Sequence, residues 1–382
     1  MVLEDLTKSF WLLEERVGTG DTEIRRDPHI PGQAVIIAPQ LEPDSVESQI
    51  STEGTPIIDA HGSPLIYKNN GNTVKVITPQ RPLFLLEEYQ RGLAGVGVYD
   101  RGSGIGADER FLVEGTFGTM SLELLINALV DRTKDLSTRA FMSKTGGTPQ
   151  NDNSSLRQFV AYGTYLIKDS SLVGRLLASV EIAPTAQNEL TQWAAHYQLG
   201  GMSKCLNCTI ATQERQGTGS DSRVILYHEA PVHGAADKRG YKPLLYYDGA
   251  IAFISFAPKD QYHVHIVPFK HTSRLTELST EQIRYLSELL YKCIISIYTD
   301  AQEMGRDIRT LEFSFHSLPF FGRNDRYMQR NGGAEVERYS HFYAQILPGQ
   351  RNAYEIPGSG WLVVSGEKPK ETAKRLREII NK

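Results

Sequence analysis

Apolar residues in the first half of the chain follow two different periods. The segment TVKVITP, which starts at Thr73, alternates apolar and polar residues, as a strand with one buried face does. Further strands are predicted over residues 111–114 and 155–167. Between them, SLELLINALVDRTKDL has apolar residues at positions 122, 124, 125, 128 and 129. This spacing predicts an amphipathic helix of about four turns.

The second half repeats this order of elements. Strands are predicted at SRVILY, GAIAFISF and HVHIV. A long apolar-periodic helix follows, and Ser279 or Thr280 is its expected N-cap. The order strand, connector, long helix, loop and strand therefore occurs around residues 111–166 and again around residues 263–348, which indicates an internal duplication.

This layout and the bulk composition together predict the fold class. With 382 residues, 40% of them hydrophobic and 23% charged, the chain can bury a substantial core. We predict an α+β protein of two halves, residues 1–195 and residues 196–382. Each half is expected to be an antiparallel sheet with a long helix packed on it.

Charge and composition argue against membrane and nucleic-acid roles. The net charge of −4 gives no overall attraction to nucleic acid, although FGRNDRYMQRNGG at residues 321–333 is a local basic segment. No apolar run approaches the roughly 18 residues that a membrane helix needs. The N-terminal segment mixes acidic residues into its apolar ones, unlike a secretion signal. Three cysteines do not suit an extracellular disulfide framework, so we expect a cytoplasmic protein.

Histidines are concentrated in one short segment, YHVHIVPFKH, at residues 262–271. His263 and His265 are two residues apart, so their side chains lie on the same side of a strand. From this spacing alone, a catalytic cluster, a metal site and an ordinary strand remain alternatives.

The same half contains a set of soft metal ligands. Cys205 and Cys208 form a C-x-x-C pair, and with His271 and His341 they supply the two thiolates and two imidazoles that suit a tetrahedral structural zinc ion. A redox pair is the alternative, but it should open a helix in a thioredoxin-like βαβ unit, which the sequence does not predict. Cys293 lies on the apolar face of the long helix and is expected in the core.

Segments spread along the chain resemble motifs of the galactose-1-phosphate uridylyltransferase family. TEIRRDPHIPGQAVIIAP is similar to R-x-D-P-x-x-G-x-W-V-I-I-A-P, and KCLNCTIATQE is similar to C-x-x-C-x-I-x-x-x-E. YHVHIVPFKH and YSHFYAQILP resemble P-Y-E-x-x-I-x-P-K-x-H and H-x-x-x-Q/E-I-x-P. The resemblance implies two fused histidine-triad-like halves, a homodimer, a nucleotide or nucleotide-sugar ligand, and zinc bound by the same two cysteines and two histidines.

The first half departs from the family where the covalent chemistry should be. The resemblance implies a nucleophilic histidine in H-P-H-x-Q, which attacks a phosphorus atom and becomes a nucleotidyl-imidazole. Aligning SSLRQFVAYG with this motif places four residues at the first histidine, the proline, the nucleophile and the glutamine: Gln158, Phe159, Val160 and Tyr162. Valine cannot act as a nucleophile, and no histidine occurs between His61 and His196. Gly118 likewise stands where the family has a histidine zinc ligand.

The second half does not restore the nucleophile, because HFYAQ has Tyr343 in its place. Its phenol, with a usual pKa near 10, is mostly protonated at neutral pH. Gln345, Lys270 and Arg26 are candidates for binding nucleotide phosphates. The leading hypothesis is a zinc protein that binds a nucleotide or nucleotide sugar, or acts as a scaffold, without the covalent histidine step. The alternative is an active nucleotidyltransferase or phosphorylase for a UDP- or ADP-hexose that uses Tyr343 or His316.

Overall fold

A computed structural model describes the strands, the helices and some of their connections. It describes residues 23–26, 34–37, 54–59, 62–79, 106–138, 158–179, 184–199, 205–216, 222–230, 248–256, 258–320, 336–349, 354–355, 363–364 and 367–382. The strands are β1 (Glu23–Arg26), β2 (Ala34–Ile37), β3 (Gly54–Pro56), β4 (Ile66–Asn69), β5 (Asn72–Pro79), β6 (Gly106–Glu114), β7 (Gln158–Leu166), β8 (Ser171–Ser179), β9 (Val224–Ala230), β10 (Asp248–Ile254), β11 (Val264–Pro268), β12 (Thr310–His316), β13 (Tyr343–Pro348), β14 (Tyr354–Glu355) and β15 (Val363–Val364). The helices are α1 (Thr119–Thr138), α2 (Pro184–Leu199), α3 (Leu206–Gln216), α4 (Thr280–Glu303), α5 (Val336–Tyr339) and α6 (Pro369–Ile380), with a short 3₁₀ helix at Leu275–Glu277.

An 11-stranded sheet joins the two halves of the chain. Its strand order is β3-β5-β6-β8-β7-β12-β13-β11-β10-β9, with β4 paired to β5, and every pairing is antiparallel. The order β5-β6-β8-β7 on one side of the β7–β12 junction mirrors β10-β11-β13-β12 on the other. The predicted α+β class and the two repeated halves are confirmed.

The two long helices cover one face of this sheet. α1 buries Leu122, Leu125, Ile126 and Leu129 completely, at the i, i+3, i+4 and i+7 spacing of an apolar helix face. α4 packs against β10 and β11 in the second half, as α1 packs against β5, β6 and β8 in the first. The two helices also contact each other, and one continuous hydrophobic cluster contains residues of both halves.

The start of α4 confirms one of the two predicted caps. Ser279 is the N-cap: its side chain accepts a hydrogen bond from the backbone N–H of Gln282, whose own side chain accepts from the backbone N–H of Ser279. This reciprocal pair satisfies two backbone donors that a helix end leaves without intrahelical partners.

A row of polar residues crosses the opposite face of the sheet. The register pairs Arg110 with Arg175, Arg175 with Tyr162, Tyr162 with Ser314, Ser314 with Gln345, and Gln345 with His265. We call these six residues the polar row: Arg110, Arg175, Tyr162, Ser314, Gln345 and His265. The row passes from one half to the other at the β7–β12 junction.

The division between the halves at residues 195 and 196 stays a prediction, and this position lies inside α2. Leu190 and Trp193 of α2 pack with Leu318, Val336 and Tyr339 of the second half. The basic segment at 321–333 lies outside the described residues. Among the helices that are described, none combines the length and apolar character needed to cross a bilayer.

Replacing Arg132 with alanine should lower the free energy of unfolding by about 3 to 5 kcal/mol, because it removes the charged partner of a buried carboxylate. Arg132 on α1 donates two hydrogen bonds to Glu109 on β6, and both side chains are almost fully buried. Urea denaturation followed by circular dichroism measures the change. Lys75→Ala is the control: its ion pair with Glu114 is exposed, so its loss should stay below about 1 kcal/mol. Equal losses in the two variants would contradict the prediction.

Candidate metal site and polar face

Three separate segments bring two cysteines and two histidines together. Cys205 directly precedes α3 and Cys208 lies in its first turn, whereas His271 follows β11 and His341 precedes β13. Their ligand atoms all lie within 4.8 Å of one another, which confirms that the predicted set forms one cluster. The backbone N–H of Phe342 donates to the carbonyl of Thr272 at 2.6 Å, and this bond holds the two histidine-bearing segments side by side.

Both histidines present the same ring nitrogen to the cysteines. Nδ1 of His341 lies 3.4 Å from Cys205 Sγ and 3.3 Å from Cys208 Sγ, and Nδ1 of His271 lies 3.4 Å from Cys208 Sγ. Nε2 of His271 and Nε2 of His341 donate to the carbonyls of Glu337 and Pro268, at 2.7 and 3.1 Å. Metal-binding histidines commonly use such a bond to keep the other nitrogen unprotonated. The cluster could therefore hold a metal ion.

The thiol chemistry also fits a metal site. Hydrogen bonds from Cys208, and then from His271 and His341, lower the pKa of Cys205, although burial opposes this shift. The thiolate is the form that binds metal. The C-x-x-C pair does open a helix, since α3 begins at Leu206. The setting is nevertheless not a thioredoxin-like βαβ unit, because each described strand pairing around it is antiparallel.

Cys293 is completely buried in α4, as predicted for a core residue. Burial alone raises the pKa of its thiol to about 12. Its side chain belongs to the hydrophobic cluster and not to the metal site.

Tyr343 lies on the polar face among aromatic and acidic residues. Its hydroxyl donates to Glu189 Oε1 on α2 at 2.7 Å, and the ring of His316 stacks on it with centroids 4.2 Å apart. Burial, with the adjacent Glu189 carboxylate, raises the pKa of Tyr343 well above its usual value. The phenol is therefore a hydrogen-bond donor at neutral pH and not an activated nucleophile.

His263 and His265 take part in a hydrogen-bond chain next to Tyr343. His263 Nε2 lies 3.0 Å from His265 Nε2 and 3.2 Å from Gln345 Oε1, and the amide nitrogen of Gln345 donates to Ser314 Oγ at 3.0 Å. Burial lowers the pKa of His265 well below its usual value, and His263 adds to this effect. His265 is therefore neutral and can accept a hydrogen bond.

The sequence matches no protein-family profile and no curated protein, but the fold matches solved structures. A structure described as uridylyltransferase has 15% sequence identity and a TM-score of 0.58, covering 94% of this chain and 98% of that one. An ADP-glucose phosphorylase from Arabidopsis thaliana, solved with bound ADP-glucose, has 15% identity and a TM-score of 0.56, covering 94% and 99%. A GalT-like protein from the same plant has 15% identity and a TM-score of 0.53, covering 80% and 83%.

The chain has a uridylyltransferase fold. At the level of the fold, this confirms the resemblance to the galactose-1-phosphate uridylyltransferase family that the sequence motifs predicted. The structural likeness extends over both halves, as the order of those motifs implied.

The strand order gives Tyr343 a different first-half counterpart from the one that the sequence alignment implied. Arg175 on β8 and Gln345 on β13 flank the central pair Tyr162–Ser314, so they are counterparts. Val173 lies two residues before Arg175, and Tyr343 lies two residues before Gln345. Val173 is therefore the counterpart of Tyr343. The sequence alignment assigned the family's nucleophile position to Val160 on β7, whereas the counterpart of Tyr343 in the sheet is Val173 on β8. Both residues are valines, so neither alignment supplies an imidazole.

The candidate phosphate-binding residues lie in different places. Gln345 lies in the polar row, and Lys270 is exposed beside His271 of the cysteine–histidine cluster. Arg26 ends β1, and its side chain lies outside the described residues. The sequence did not single out Glu189 and Ser314, whose side chains accept hydrogen bonds from Tyr343 and Gln345. The alternation in TLEFSFH could have placed Ser314 on the face of His316, but no local signal connects Glu189 with Tyr343.

Replacing Cys208 with serine should abolish stoichiometric metal binding, because a neutral hydroxyl is a much weaker ligand than a thiolate. Inductively coupled plasma mass spectrometry of the purified protein measures the bound metal per chain. Cys293→Ser is the matched control, since that thiol lies outside the cluster and its loss should leave the metal content unchanged. Equal metal content in wild type and Cys208→Ser would exclude the cluster as the binding site.

Proposed function

We propose that this protein binds a nucleotide or nucleotide sugar on its polar face, holds one structural zinc ion, and lacks the covalent histidine step. Val173 and Tyr343 at the two symmetry-related nucleophile positions carry this proposal, because neither side chain is an imidazole. The ligand class is supported by one solved structure of the same fold, the ADP-glucose phosphorylase with bound ADP-glucose. A cytoplasmic homodimer is part of the proposal, and sedimentation velocity would test its oligomeric state.

The donor set favours zinc among the metals that the cluster could hold. Two thiolates and two imidazoles at a closed four-ligand site are typical of structural zinc. The ion would connect the start of α3, the turn after β11 and the start of β13. All four positions are taken by protein ligands, so the site leaves no open position for substrate and its role would be structural.

Binding of the proposed ligand and the absence of covalent labelling can be tested on the same protein. We expect UDP-glucose or ADP-glucose to bind in isothermal titration calorimetry and to raise the melting temperature. Incubation with either sugar nucleotide, radiolabelled in the α-phosphate, should leave no acid-labile label on the denatured protein, because a phosphoramidate needs an imidazole nucleophile. Retention of label on a histidine would refute the loss of the covalent step.

A second candidate function is nucleotidyl transfer by His316, and the carboxylate beside that residue favours it. Nδ1 of His316 lies 3.6 Å from Glu189 Oε2, and the side chain is partly exposed. A carboxylate that faces one ring nitrogen favours the proton there and leaves the other nitrogen available for attack. His316 Nε2 would displace the sugar phosphate from the α-phosphorus, and an acceptor phosphate would then displace the imidazole.

The second candidate predicts a difference between two neighbouring aromatic side chains. If His316 is the nucleophile, His316→Asn should abolish transfer from UDP-glucose or ADP-glucose to phosphate, while Tyr343→Phe should keep turnover and labelling. Coupled release of glucose-1-phosphate measures the rate. Loss of activity in Tyr343→Phe alone would instead implicate the phenol, and absence of turnover in the wild type would leave the binding function as the sole candidate.

A further inference from the structure

His263 and His265 are close enough to suggest a second metal site, but the hydrogen bonds of His263 exclude that role. The backbone N–H of Lys259 donates to His263 Nδ1 at 3.2 Å, so the neutral ring carries its proton on Nε2. A metal ligand would need the reverse arrangement, with an unprotonated Nε2 and an N–H at Nδ1 facing an acceptor. The chemistry of this pair is therefore that of a hydrogen-bond chain.

The protonation of His263 fixes the direction of that chain. Its Nε2–H has two acceptors, Gln345 Oε1 at 3.2 Å and His265 Nε2 at 3.0 Å. The opposite orientation of the Gln345 amide would place its N–H groups against the N–H of His263. The Lys259 N–H can only donate, so it fixes the proton of His263 on Nε2. That proton in turn determines that the oxygen of the Gln345 amide faces His263.

The Gln345–Ser314 end of this hydrogen-bond chain presents hydrogen-bond donors. The Gln345 amide donates one N–H to Ser314 Oγ, and the accepting hydroxyl keeps its own hydrogen. Among the described residues, no hydrogen-bond acceptor is found for the second amide N–H or for the Ser314 hydroxyl. Ser314 and Gln345 are direct cross-strand neighbours, and both are half-buried in the polar row. Two adjacent donors in a partly desolvated position suit an anionic oxygen.

We propose that His263 is a positioning residue that holds the Gln345 amide with its N–H groups outward, so that Gln345 and Ser314 together bind a phosphate oxygen of the ligand. This inference rests on the proposed nucleotide-binding function and identifies the phosphate subsite within it. His263 acts through Gln345 and does not touch the ligand.

The test uses two nearly isosteric substitutions that differ in hydrogen-bond polarity. In His263→Glu, an ionised carboxylate accepts from the Gln345 amide and turns its oxygen toward the phosphate. This variant should weaken binding of UDP-glucose and ADP-glucose by about tenfold or more, the order expected for losing a hydrogen bond to a charged group. His263→Gln keeps a donor for Gln345 Oε1 and should recover most of the affinity. Isothermal titration calorimetry of the full-length protein measures both.

Uridine and adenosine separate the positioning role from a packing role. They lack phosphate, so any affinity that they have for the wild type should be the same in His263→Glu. Circular dichroism and metal content establish that each variant is folded and loaded. If His263→Glu does not fold, Ser314→Ala replaces it, because removing the second donor should also weaken the phosphate-containing ligands selectively.

Each result distinguishes the inference from the function on which it rests. The inference is overturned if His263→Glu and His263→Gln weaken sugar-nucleotide binding equally. It is also overturned if His263→Glu weakens nucleoside binding as much as sugar-nucleotide binding. Either result would show that His263 only packs. If the wild type binds a sugar nucleotide and both His263→Glu and Ser314→Ala bind it equally well, the inference is overturned and the proposed function stands. If the wild type binds neither sugar nucleotide, both fail.

Discussion

The antiparallel pairing of β7 with β12 is the contact on which the architecture depends. It turns two repeated units into one sheet, with registered pairs from Ala161–Phe315 to Leu166–Thr310. Gly163 makes a close approach possible there, since a Cβ atom at that position would lie 2.1 Å from the ring of Phe313. Because the sheet is continuous, α1 and α4 share one hydrophobic cluster and the polar row crosses from one half to the other.

The cluster of two cysteines and two histidines joins three segments of the second half, and it could hold a metal ion. It connects the start of α3 to the ends of two neighbouring strands, and each histidine is oriented by a backbone carbonyl. His341 is two residues from Tyr343 and four from Gln345, so an ion bound there would also fix the start of the strand that carries the polar face. In the first half, the buried Glu109–Arg132 pair and the pair of Asp108 with Arg175 connect neighbouring elements.

The polar face carries hydrogen-bonding side chains, and neither Val173 nor Tyr343 is an imidazole. At Val173 the chain has no titratable group, and at Tyr343 the phenol is held protonated by burial and by donation to Glu189. What remains is a set of oriented hydrogen-bond donors and one carboxylate-facing imidazole on the adjacent strand. Such a face can bind an anionic ligand whether or not a covalent step takes place, because binding and nucleophilic attack make different demands on side-chain chemistry.

The sequence by itself determined the main elements, the repeat and the members of the cysteine–histidine cluster. Hydrophobic periodicity is a local property, so it located α1, α4 and β11, and the Ser279 cap followed from the same local chemistry. Cys205, Cys208, His271 and His341 could be grouped because few residue types bind zinc and the family motifs contain them. Only the tertiary structure decided which strand is the counterpart of β13, because β7 and β8 are both alternating strands and their order in the sheet depends on pairing between distant segments. It also decided the contacts of Glu189, Ser314 and His263, since hydrogen bonds between residues 31 to 154 positions apart leave no periodic signal in the sequence.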